Sequence, residues 1–333
     1  MFQNLVAQLR ATSRTLVYTE GTDPRILEAA SRLKAEGIVE PILVGEPQAV
    51  AAAAAQYGFD ITGICVCDPA TDPRLDEMAE EMACLRRGKQ TVAECRAMLL
   101  RGNYYGTMLV KQGRADALLG GATYSTADTV RPALQLVKTR PGLHLVSSSF
   151  ILVRGDERIA MGDCAINISY EDTLDKDGNV VVSAARKLAE VTVETARMAR
   201  LFGIEPRVAM LSYSTKGSGK GPGVELVRAA LAEVRAMEPE LAVDGELQFD
   251  AAVSPVVAET KCKGSPVAGR ANTFIFPELQ SGNIGYKIAQ RLGGFLAFGP
   301  LLQGLNAPIN DLSRGCNAEE VYQMSIITAA QAL

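Results

Sequence analysis

Short apolar runs of strand length alternate with helical patterns from the start of the chain, and this alternation restricts the fold more than any other feature. The first two runs cover residues 15–18 and 41–44, and a helical pattern over residues 25–36 lies between them. The alternation continues through a run at residues 64–67 and another at 117–119. Strands that are joined by crossover helices pair in parallel. We therefore expect an α/β fold with mainly parallel sheets.

The length and the spacing of the elements indicate two domains. A chain of 333 residues with 47% apolar residues is long enough for about two domains of ordinary size. A Pro-Gly pair at residues 141 and 142 precedes a more strand-rich block that begins at residues 146–153. We place a domain boundary there, and the last predicted helix, residues 318–330, could pack back on the first domain.

Charge and composition exclude several classes of function. The net charge is −4 and no long basic run occurs, so the electrostatic footprint of a nucleic-acid-binding protein is missing. The N-terminus lacks an apolar signal segment, and the longest uncharged stretch, residues 293–310, is broken by glycines and prolines. We expect a cytoplasmic protein that is neither exported nor inserted in a membrane.

The cysteines and the histidine do not indicate a metal or redox site. Seven cysteines occur without paired CxxC spacing, which fits reduced thiols in the cytosol. Cys65 and Cys67 share one face of a predicted strand, and we expect both to be buried. For His144, the only histidine, we favour a structural role over that of a catalytic base. No bound metal is expected.

The first candidate site is the segment 120–131, in which a strand end leads through two glycines into a helix. The N-terminus of a helix favours anions, and ligands of parallel sheets bind at the carboxyl ends of the strands. Ser125 and Asp128 also resemble a capping box, which would explain both without a ligand. Arg131, about one turn into the helix, favours the interpretation as an anion site.

The second candidate site is the glycine-rich segment 211–223, again between a strand and a helix. It matches neither the phosphate loop of ATPases nor the dinucleotide fingerprint, so an ATPase or a dehydrogenase is disfavoured. Its two lysines, its hydroxyls and its backbone amides could hold phosphate groups. A solvated loop without a ligand is the alternative.

The third candidate site is the segment 308–320. Arg314 offers a fork that suits phosphate oxygens, and Ser313 offers a donor for a thiol or an oxyanion. Glu320 could form a capping box with Asn317 or act on a substrate. An acid, a hydroxyl and a cation therefore fall within one loop.

Six segments together resemble the phosphate acetyltransferase family, and the resemblance covers essentially the whole chain. It implies an isocitrate-dehydrogenase-like architecture of two α/β domains, with residues 1–143 and 301–333 in the first and residues 144–300 in the second. It also implies an active site in the cleft between the domains and a homodimer. The segments that carry it are 103–108, 126–134, 214–218, 245–251, 282–287 and 310–315.

The resemblance implies direct transfer of acetyl between coenzyme A and inorganic phosphate in a ternary complex, with no tightly bound cofactor and with functional coupling to acetate kinase. By motif, Glu320 takes the place of the catalytic base, Ser313 that of the residue that holds the coenzyme A sulfur, and Arg314 that of a phosphate-binding arginine. The base position is commonly Asp in the family and is Glu320 here. Further phosphate or acetyl phosphate contacts are implied for Arg131, Arg86, Ser125 and Thr126, with Arg87 as the alternative to Arg86. Coenzyme A contacts are implied for Ser214, Thr215, Lys216, Gly217, Asn283 and Asp311.

Three alternatives remain beside this interpretation. A phosphate butyryltransferase would differ from an acetyltransferase only in the pocket for the acyl chain. One or two methylene groups in such a pocket contribute only about 1–3 kcal/mol to the discrimination between substrates. A non-catalytic domain that senses acetyl-CoA would bind its ligand without turnover. The presence of Ser313 and Arg314 argues against this alternative. A metal-dependent dehydrogenase of similar fold would require clustered aspartates and a nucleotide-binding loop.

Overall fold

A computed structural model describes residues 2–333 of the chain. It contains two compact units, Met1–Pro141 with Leu305–Leu333 and Gly142–Gly304. The α/β fold with mainly parallel sheets, as predicted, is confirmed. The domain boundaries predicted from the resemblance stay a prediction.

The first unit is a parallel five-stranded sheet covered by helices, with the strand order β13-β4-β1-β2-β3. Its strands are β1 (Thr15–Tyr18), β2 (Glu40–Val44), β3 (Cys65–Cys67), β4 (Ala117–Gly120) and β13 (Ile309–Asp311). Its helices are α1 (Phe2–Thr12), α2 (Pro24–Ala35), α3 (Pro47–Tyr57), α4 (Leu75–Arg86), α5 (Val92–Leu99), α6 (Gly102–Lys111), α7 (Thr126–Pro132), a π-helical turn (Ala133–Val137) and α13 (Ala318–Ala330).

The second unit is a six-stranded mixed sheet with the order β10-β9-β11-β6-β5-β12, and a two-stranded hairpin β7-β8. Its strands are β5 (Ser147–Arg154), β6 (Glu157–Gly162), β7 (Thr173–Leu174), β8 (Val180–Val182), β9 (Val208–Leu211), β10 (Val243–Leu247), β11 (Thr273–Ile275) and β12 (Leu296–Gln303). Its helices are α8 (Ala184–Leu201), α9 (Pro222–Met237), α10 (Phe249–Val253), α11 (Pro255–Lys261) and α12 (Leu279–Arg291). Strands β10, β9, β11 and β6 are parallel, whereas β5 is antiparallel to both of its neighbours.

Local sequence explains how α2, the helix that follows β1 in the first unit, begins. Helix α2 has Asp23 at its N-cap and Pro24 at its first position, and the Asp23 carboxylate accepts a hydrogen bond from the Arg25 amide. Proline suits that position because the amide it lacks would have no partner within the helix. The start of α2 is therefore fixed, and residues 19–23 connect it to the end of β1.

The last helix, α13, belongs to the first unit and closes its sheet. The buried Tyr18 hydroxyl on β1 donates to Ser325 Oγ on α13 at 2.8 Å. The guanidinium of Arg14 donates to the Ala332 carbonyl at 3.1 Å. These contacts link residues more than 300 positions apart, and β13, which precedes α13, pairs with β4 in the sheet.

The prediction that Cys65 and Cys67 are buried is wrong. Cys65 is exposed and Cys67 is half-buried, with the two sulfur atoms 3.7 Å apart. Both residues lie on β3, which is an edge strand of the first sheet, so one face of the strand is only partly covered.

None of the helices within residues 2–333 is long and apolar enough to cross a lipid bilayer.

Candidate active site

Two of the three predicted segments meet in the first unit because β4 and β13 are neighbours in its sheet. The segment 120–131 leaves the carboxyl end of β4, and the segment 312–320 leaves the carboxyl end of β13. Carboxyl ends of parallel strands share one edge of a sheet, and ligands of open α/β sheets bind at that edge. The strand order therefore places Arg131 and Arg314 on neighbouring segments.

Asp311, the last residue of β13, holds the two segments together. Its carboxylate accepts a hydrogen bond from Thr126 Oγ1 at 2.6 Å and another from the hydroxyl of Thr129. Asp311 is 3% exposed, and burial raises the pKa of its carboxyl although the two hydroxyl donors oppose the shift. The positive charge of Arg314 also acts on this carboxylate. The predicted residues Asp311 and Thr126 are thus in direct contact.

The capping box that the sequence offers for Ser125 and Asp128, as the alternative to an anion site, is incomplete in the structure. Ser125 is the N-cap residue of α7, but its hydroxyl caps no backbone amide and instead donates to the Asp128 carboxylate at 2.8 Å. This hydrogen bond, together with the charges of Arg101 and Arg131, lowers the pKa of Asp128. Arg131 itself is exposed. Its guanidinium is therefore accessible to an anion from solvent.

Glu20 is a residue of this edge that the sequence reasoning missed. Its carboxylate accepts hydrogen bonds from the Gly121 amide at 3.1 Å, from the Thr123 amide at 2.6 Å and from the Thr123 hydroxyl at 2.8 Å. Amides at the start of the 120–131 segment are thus occupied by a carboxylate of the protein itself. The available signal was an acidic residue two positions after the end of β1, the other neighbour of β4.

Ser313 and Arg314 are exposed on the loop that follows β13. The Ser313 hydroxyl accepts a weak hydrogen bond from the Gly315 amide at 3.3 Å. The Arg314 guanidinium donates no hydrogen bond to any residue between 2 and 333, while its backbone carbonyl is held by Arg25 at 2.9 Å. The loop backbone is fixed, and both functional groups remain accessible.

Glu320 forms the predicted capping box at the start of α13. The Glu320 amide donates to Asn317 Oδ1 at 2.9 Å, and the Asn317 amide donates to Glu320 Oε2 at 3.0 Å. Of the two alternatives for Glu320, the capping box is confirmed, and the role on a substrate stays a prediction. The second carboxylate oxygen, Oε1, accepts no hydrogen bond from the described part of the chain. One side chain can therefore cap the helix with one oxygen and offer the other to a substrate.

Arg86 and Arg87 lie at the end of α4. Arg86 Nε donates to Gln90 Oε1 at 2.7 Å, and Arg86 is half-buried. Arg87 is exposed and closes the helix in a left-handed conformation with φ +52°. Neither forms a hydrogen bond with the other predicted site residues, so the choice between them stays a prediction.

In the second unit, the loop after β9 is held by two buried carboxylates on β10. Glu246 accepts hydrogen bonds from Ser214 Oγ at 2.9 Å, from the Gly217 amide at 2.7 Å and from Arg228 Nε at 2.9 Å. Burial alone would raise the pKa of Glu246, but these donors outweigh it and lower the pKa to about 2. Lys216 Nζ donates to the other buried carboxylate, Asp244.

The remaining predicted residues of this unit are also engaged. The Thr215 hydroxyl accepts from the Gln248 amide at 2.9 Å, and Thr215 is 5% exposed. On α12, Asn283 Nδ2 donates to the Cys164 carbonyl at 3.0 Å, and its Oδ1 accepts from Lys287 at 2.7 Å. These contacts fix the local backbone at Thr215 and the position of the Asn283 side chain.

A basic cavity of about 420 Å³ lies beside Lys216. Arg235, Lys261 and Lys263 also line it, with Asp244 as the one acidic lining residue. The ammonium of Lys261 pairs with Asp250 at 3.1 Å. The cavity therefore carries a surplus of positive charge, of which part is neutralised locally.

His144 pairs with Glu190, which is 1% exposed, in the second unit. Its Nδ1 lies 2.6 Å from Glu190 Oε1, and its backbone amide donates to Glu190 Oε2 at 2.8 Å. These contacts support the predicted structural role. Among residues 2–333 no group of three or more His, Cys, Asp and Glu side chains is arranged to hold a metal ion.

Comparison with known proteins gives the same family as the sequence motifs. A family model described as "Phosphate acetyl/butaryl transferase" matches residues 1–329. A phosphate acetyltransferase of Bacillus subtilis (strain 168) is 47% identical over 333 residues, which cover 100% of this chain and 99% of that protein. One of Staphylococcus aureus (strain Mu50 / ATCC 700699) is 50% identical over 322 residues, which cover 96% of this chain and 94% of that protein.

Solved structures agree. A phosphotransacetylase from Streptococcus pyogenes superimposes with a TM-score of 0.94 at 49% identity and covers 99% of this chain and 97% of its own. A branched-chain phosphotransacylase from Enterococcus faecalis V583, 18% identical, has a TM-score of 0.66, covers 96% of this chain and 99% of its own, and shows the fold alone. The resemblance inferred from the motifs is confirmed: the chain belongs to the phosphate acetyl/butaryl transferase family and is an acyltransferase.

Proposed function

We propose that the chain is a phosphate acetyltransferase, which converts acetyl-CoA and inorganic phosphate into coenzyme A and acetyl phosphate, and the reverse. The observation that carries the proposal is the joining of α7 and the Ser313–Arg314 loop by Asp311 at one sheet edge. Two exposed arginines, Arg131 and Arg314, lie on these joined segments. Identity of 47% over the full length to a phosphate acetyltransferase supports the acetyl assignment.

In the direction of acetyl-CoA synthesis, the coenzyme A thiol loses its proton and the sulfur attacks the acetyl carbonyl of acetyl phosphate. The thiolate is the nucleophile, and with a pKa of about 8.5 only a few per cent of a free thiol is ionised at neutral pH. The carbonyl carbon–sulfur bond forms as the bond from that carbon to the phosphate oxygen breaks. Inorganic phosphate leaves, so no covalent enzyme intermediate is needed.

Each proposed role follows from the chemistry of the side chain. Glu320, through its unpaired Oε1, accepts the thiol proton, a contribution of about 10²–10⁴-fold for general bases. Ser313 holds the sulfur in line. Arg314 and Arg131, with Arg86, Ser125 and Thr126 as further contacts, bind the phosphoryl group and stabilise the departing phosphate.

Steady-state kinetics of Arg314→Gln and Glu320→Gln test these roles. We expect Arg314→Gln to lose about 10²–10³-fold in kcat, because charge neutralisation at the phosphate cannot be replaced by buffer. Glu320→Gln is expected to lose less, at the lower limit of the contribution of a general base, because the amide keeps the helix cap and solvent can take the proton. Arg74→Gln, which removes an exposed arginine paired only with Glu77, is the control. Full activity of Arg314→Gln would overturn the phosphate assignment.

The alternatives are separated by one substrate panel. Thioester absorbance is followed with coenzyme A and acetyl, propionyl or butyryl phosphate, with and without a chelator. We expect acetyl phosphate to give the highest kcat/KM. A preference for butyryl phosphate would identify a phosphate butyryltransferase, and binding of acetyl-CoA without turnover would identify a sensing domain.

For coenzyme A we propose contacts from Ser214, Thr215, Lys216, Gly217, Asn283 and Asp311. The surplus positive charge of the cavity beside Lys216 supports a phosphate-bearing ligand at this loop. We expect Lys216→Gln to raise KM for coenzyme A more than KM for acetyl phosphate. Lys187→Gln, a lysine bound to the Glu171 carbonyl, is the control. Equal effects on both KM values would contradict the assignment.

We also propose that the chain forms a homodimer through the second unit. Ile284, Ile288 and Leu292 follow one another at helical spacing and are 58%, 53% and 85% exposed, and Leu296 at the start of β12 is 66% exposed. An apolar stripe of this kind is expected to be covered. Sedimentation velocity should show that Leu292→Glu weakens the dimer. Val256→Glu, at a position 79% exposed on α11, should leave it intact.

Finally, we propose that the enzyme acts in the cytoplasm and is functionally coupled to acetate kinase, which exchanges acetyl phosphate with acetate. A coupled assay with purified acetate kinase and ADP tests this link. ATP should form from acetyl-CoA and phosphate only when both proteins are present. ATP formation without the present chain would contradict it.

A further inference from the structure

Arg25 lies in the first turn of α2, and its guanidinium is completely engaged by protein acceptors. Its side chain is 25% exposed. Nε and one N–H of NH2 donate to the Asp23 carboxylate at 2.9 and 2.7 Å. The other N–H of NH2 donates to the Ala122 carbonyl at 2.9 Å. NH1 donates to the carbonyls of Arg314 at 2.9 Å and Cys316 at 3.0 Å.

These five oxygen acceptors match the five N–H donors of a guanidinium, and NH1 also lies 3.6 Å from Cys316 Sγ. They belong to three segments: the start of α2, the loop after β4 and the loop after β13. Because no donor remains, Arg25 has no hydrogen bond to offer a substrate. Its function must act through the segments it joins.

Two of these contacts are made to the backbone of the loop that contains Ser313 and Arg314. Two carbonyls of that loop, those of Arg314 and Cys316, depend on NH1 for a side-chain hydrogen bond. The Ala122 carbonyl lies between Gly121 and Thr123, whose amides are held by Glu20. Arg25 therefore binds a backbone carbonyl of the loop after β4, and Glu20 binds two backbone amides of the same loop.

Lysine cannot reproduce this arrangement. An ammonium is a single point charge with three donors, whereas the planar fork of arginine reaches acceptors in several fixed directions. The hydrogen bond with Asp23 raises the pKa of Arg25 still further above its ordinary value, so the side chain stays charged at any working pH.

We propose that Arg25 is a positioning residue for the acyl-transfer reaction, which fixes the Ser313–Arg314 loop against the loop after β4. The inference rests on the proposed function of Ser313 and Arg314. Its physical basis is that misplacement of a catalytic group by about 1 Å costs about 100-fold in rate. Loss of Arg25 frees the backbone at Arg314, so phosphoryl binding and alignment of the sulfur are both impaired.

The test compares Arg25→Gln and Arg25→Lys with Arg32→Gln. Arg32 is the matched control because it also lies on α2 and also contacts α13, through Glu319 at 2.9 Å and the ring of Tyr322, but it touches neither loop. With acetyl phosphate and coenzyme A, we expect Arg25→Gln to lose about 100-fold in kcat and to raise KM for acetyl phosphate. Arg25→Lys should lose nearly as much, and Arg32→Gln should lose little.

A purely structural role is distinguished by two further measurements. Thermal unfolding of the Arg25 and Arg32 variants should show similar losses, so that stability does not explain the difference in kcat. Guanidinium ion at concentrations below denaturation should restore part of the activity of Arg25→Ala, and urea at equal concentration should not. Rate losses that only follow the loss of Tm, or an active Arg25→Lys enzyme, would overturn the proposal.

The proposed function can fail separately. A wild-type chain without acetyl transfer, or an Arg314→Gln variant with full activity, refutes the proposed function. An inactive Arg314→Gln together with a fully active Arg25→Gln refutes only the positioning role of Arg25.

Discussion

The buried carboxylate of Glu246 offers a quantitative test of how the second unit is held together. Glu246 is 2% exposed, and hydrogen bonds from Arg228, the Gly217 amide and Ser214 lower its pKa to about 2 from an ordinary value of 4.5. This gap corresponds to at most about 3.4 kcal/mol of folding free energy at neutral pH. Because Arg228 is 39% exposed and solvent screens its charge, we expect about 2–3 kcal/mol for Glu246→Gln.

The sign of the pH dependence follows from the direction of the shift. A carboxyl whose pKa is lower in the folded state contributes its full stabilisation above the pKa of the unfolded chain and loses it as the pH falls. The difference between wild type and Glu246→Gln should therefore be largest near pH 7. By pH 3 it should shrink to about 1 kcal/mol.

Urea denaturation followed by circular dichroism at pH 7, 5 and 3 measures this difference. Glu225→Gln is the matched control, because Glu225 pairs with the same Arg228 at 3.4 Å but is 65% exposed. We expect a loss below about 0.5 kcal/mol for the control at every pH. A loss for Glu246→Gln that is equally small, or that does not change with pH, would refute the reasoning.

Three further predictions concern the first unit. Gly121→Ala should lower the free energy of unfolding by more than about 2 kcal/mol and lower kcat, because Gly121 has φ +96° and an added Cβ would lie 2.2 Å from Asp311 Oδ1. Urea denaturation and steady-state kinetics measure the two effects, and unchanged stability would contradict this placement of Gly121. Glu320→Ala should lose about 1 kcal/mol more stability than Glu320→Gln, because only alanine removes the side-chain half of the capping box. Equal Tm values of the two variants would show that the Glu320 side chain does not stabilise the start of α13. Tyr18→Phe should lower the free energy of unfolding by about 1 kcal/mol without changing kcat, because it removes one buried hydrogen bond to Ser325. A large loss of kcat would show that the position of α13 affects catalysis.

The fold class could be predicted because the strands and helices that determine it have a clear periodicity in the sequence. Helix α2 was expected over residues 25–36 and covers Pro24–Ala35. By contrast, α6 was missed: residues 103–110 are all buried, so no polar face marks a helical period. Helix α3 was missed because its central run of five alanines has no amphipathic pattern. The helix expected at the end of the segment 120–131 is short, since Pro132 ends α7 and a π-helical turn follows.

The candidate site was predicted in part, for a physical reason. Ser313, Arg314, Arg131 and Glu320 carry recognisable functional groups in short segments, and the segments themselves could be read from the sequence. Glu20 and Arg25 could not, because their partners lie up to 291 positions away and become neighbours only through the strand order. Long-range pairs of this kind leave no local pattern in a single sequence.

The central claim is that an arginine of the loop after β13 binds the phosphoryl group during acetyl transfer. The most direct measurement is a single experiment with wild type and Arg314→Gln, in which thioester formation from acetyl phosphate and coenzyme A is followed at increasing acetyl phosphate. The account predicts rapid acetyl-CoA formation by wild type, and for the variant a kcat at least about 100-fold lower with a raised KM for acetyl phosphate. Equal kinetics of the two proteins would contradict it.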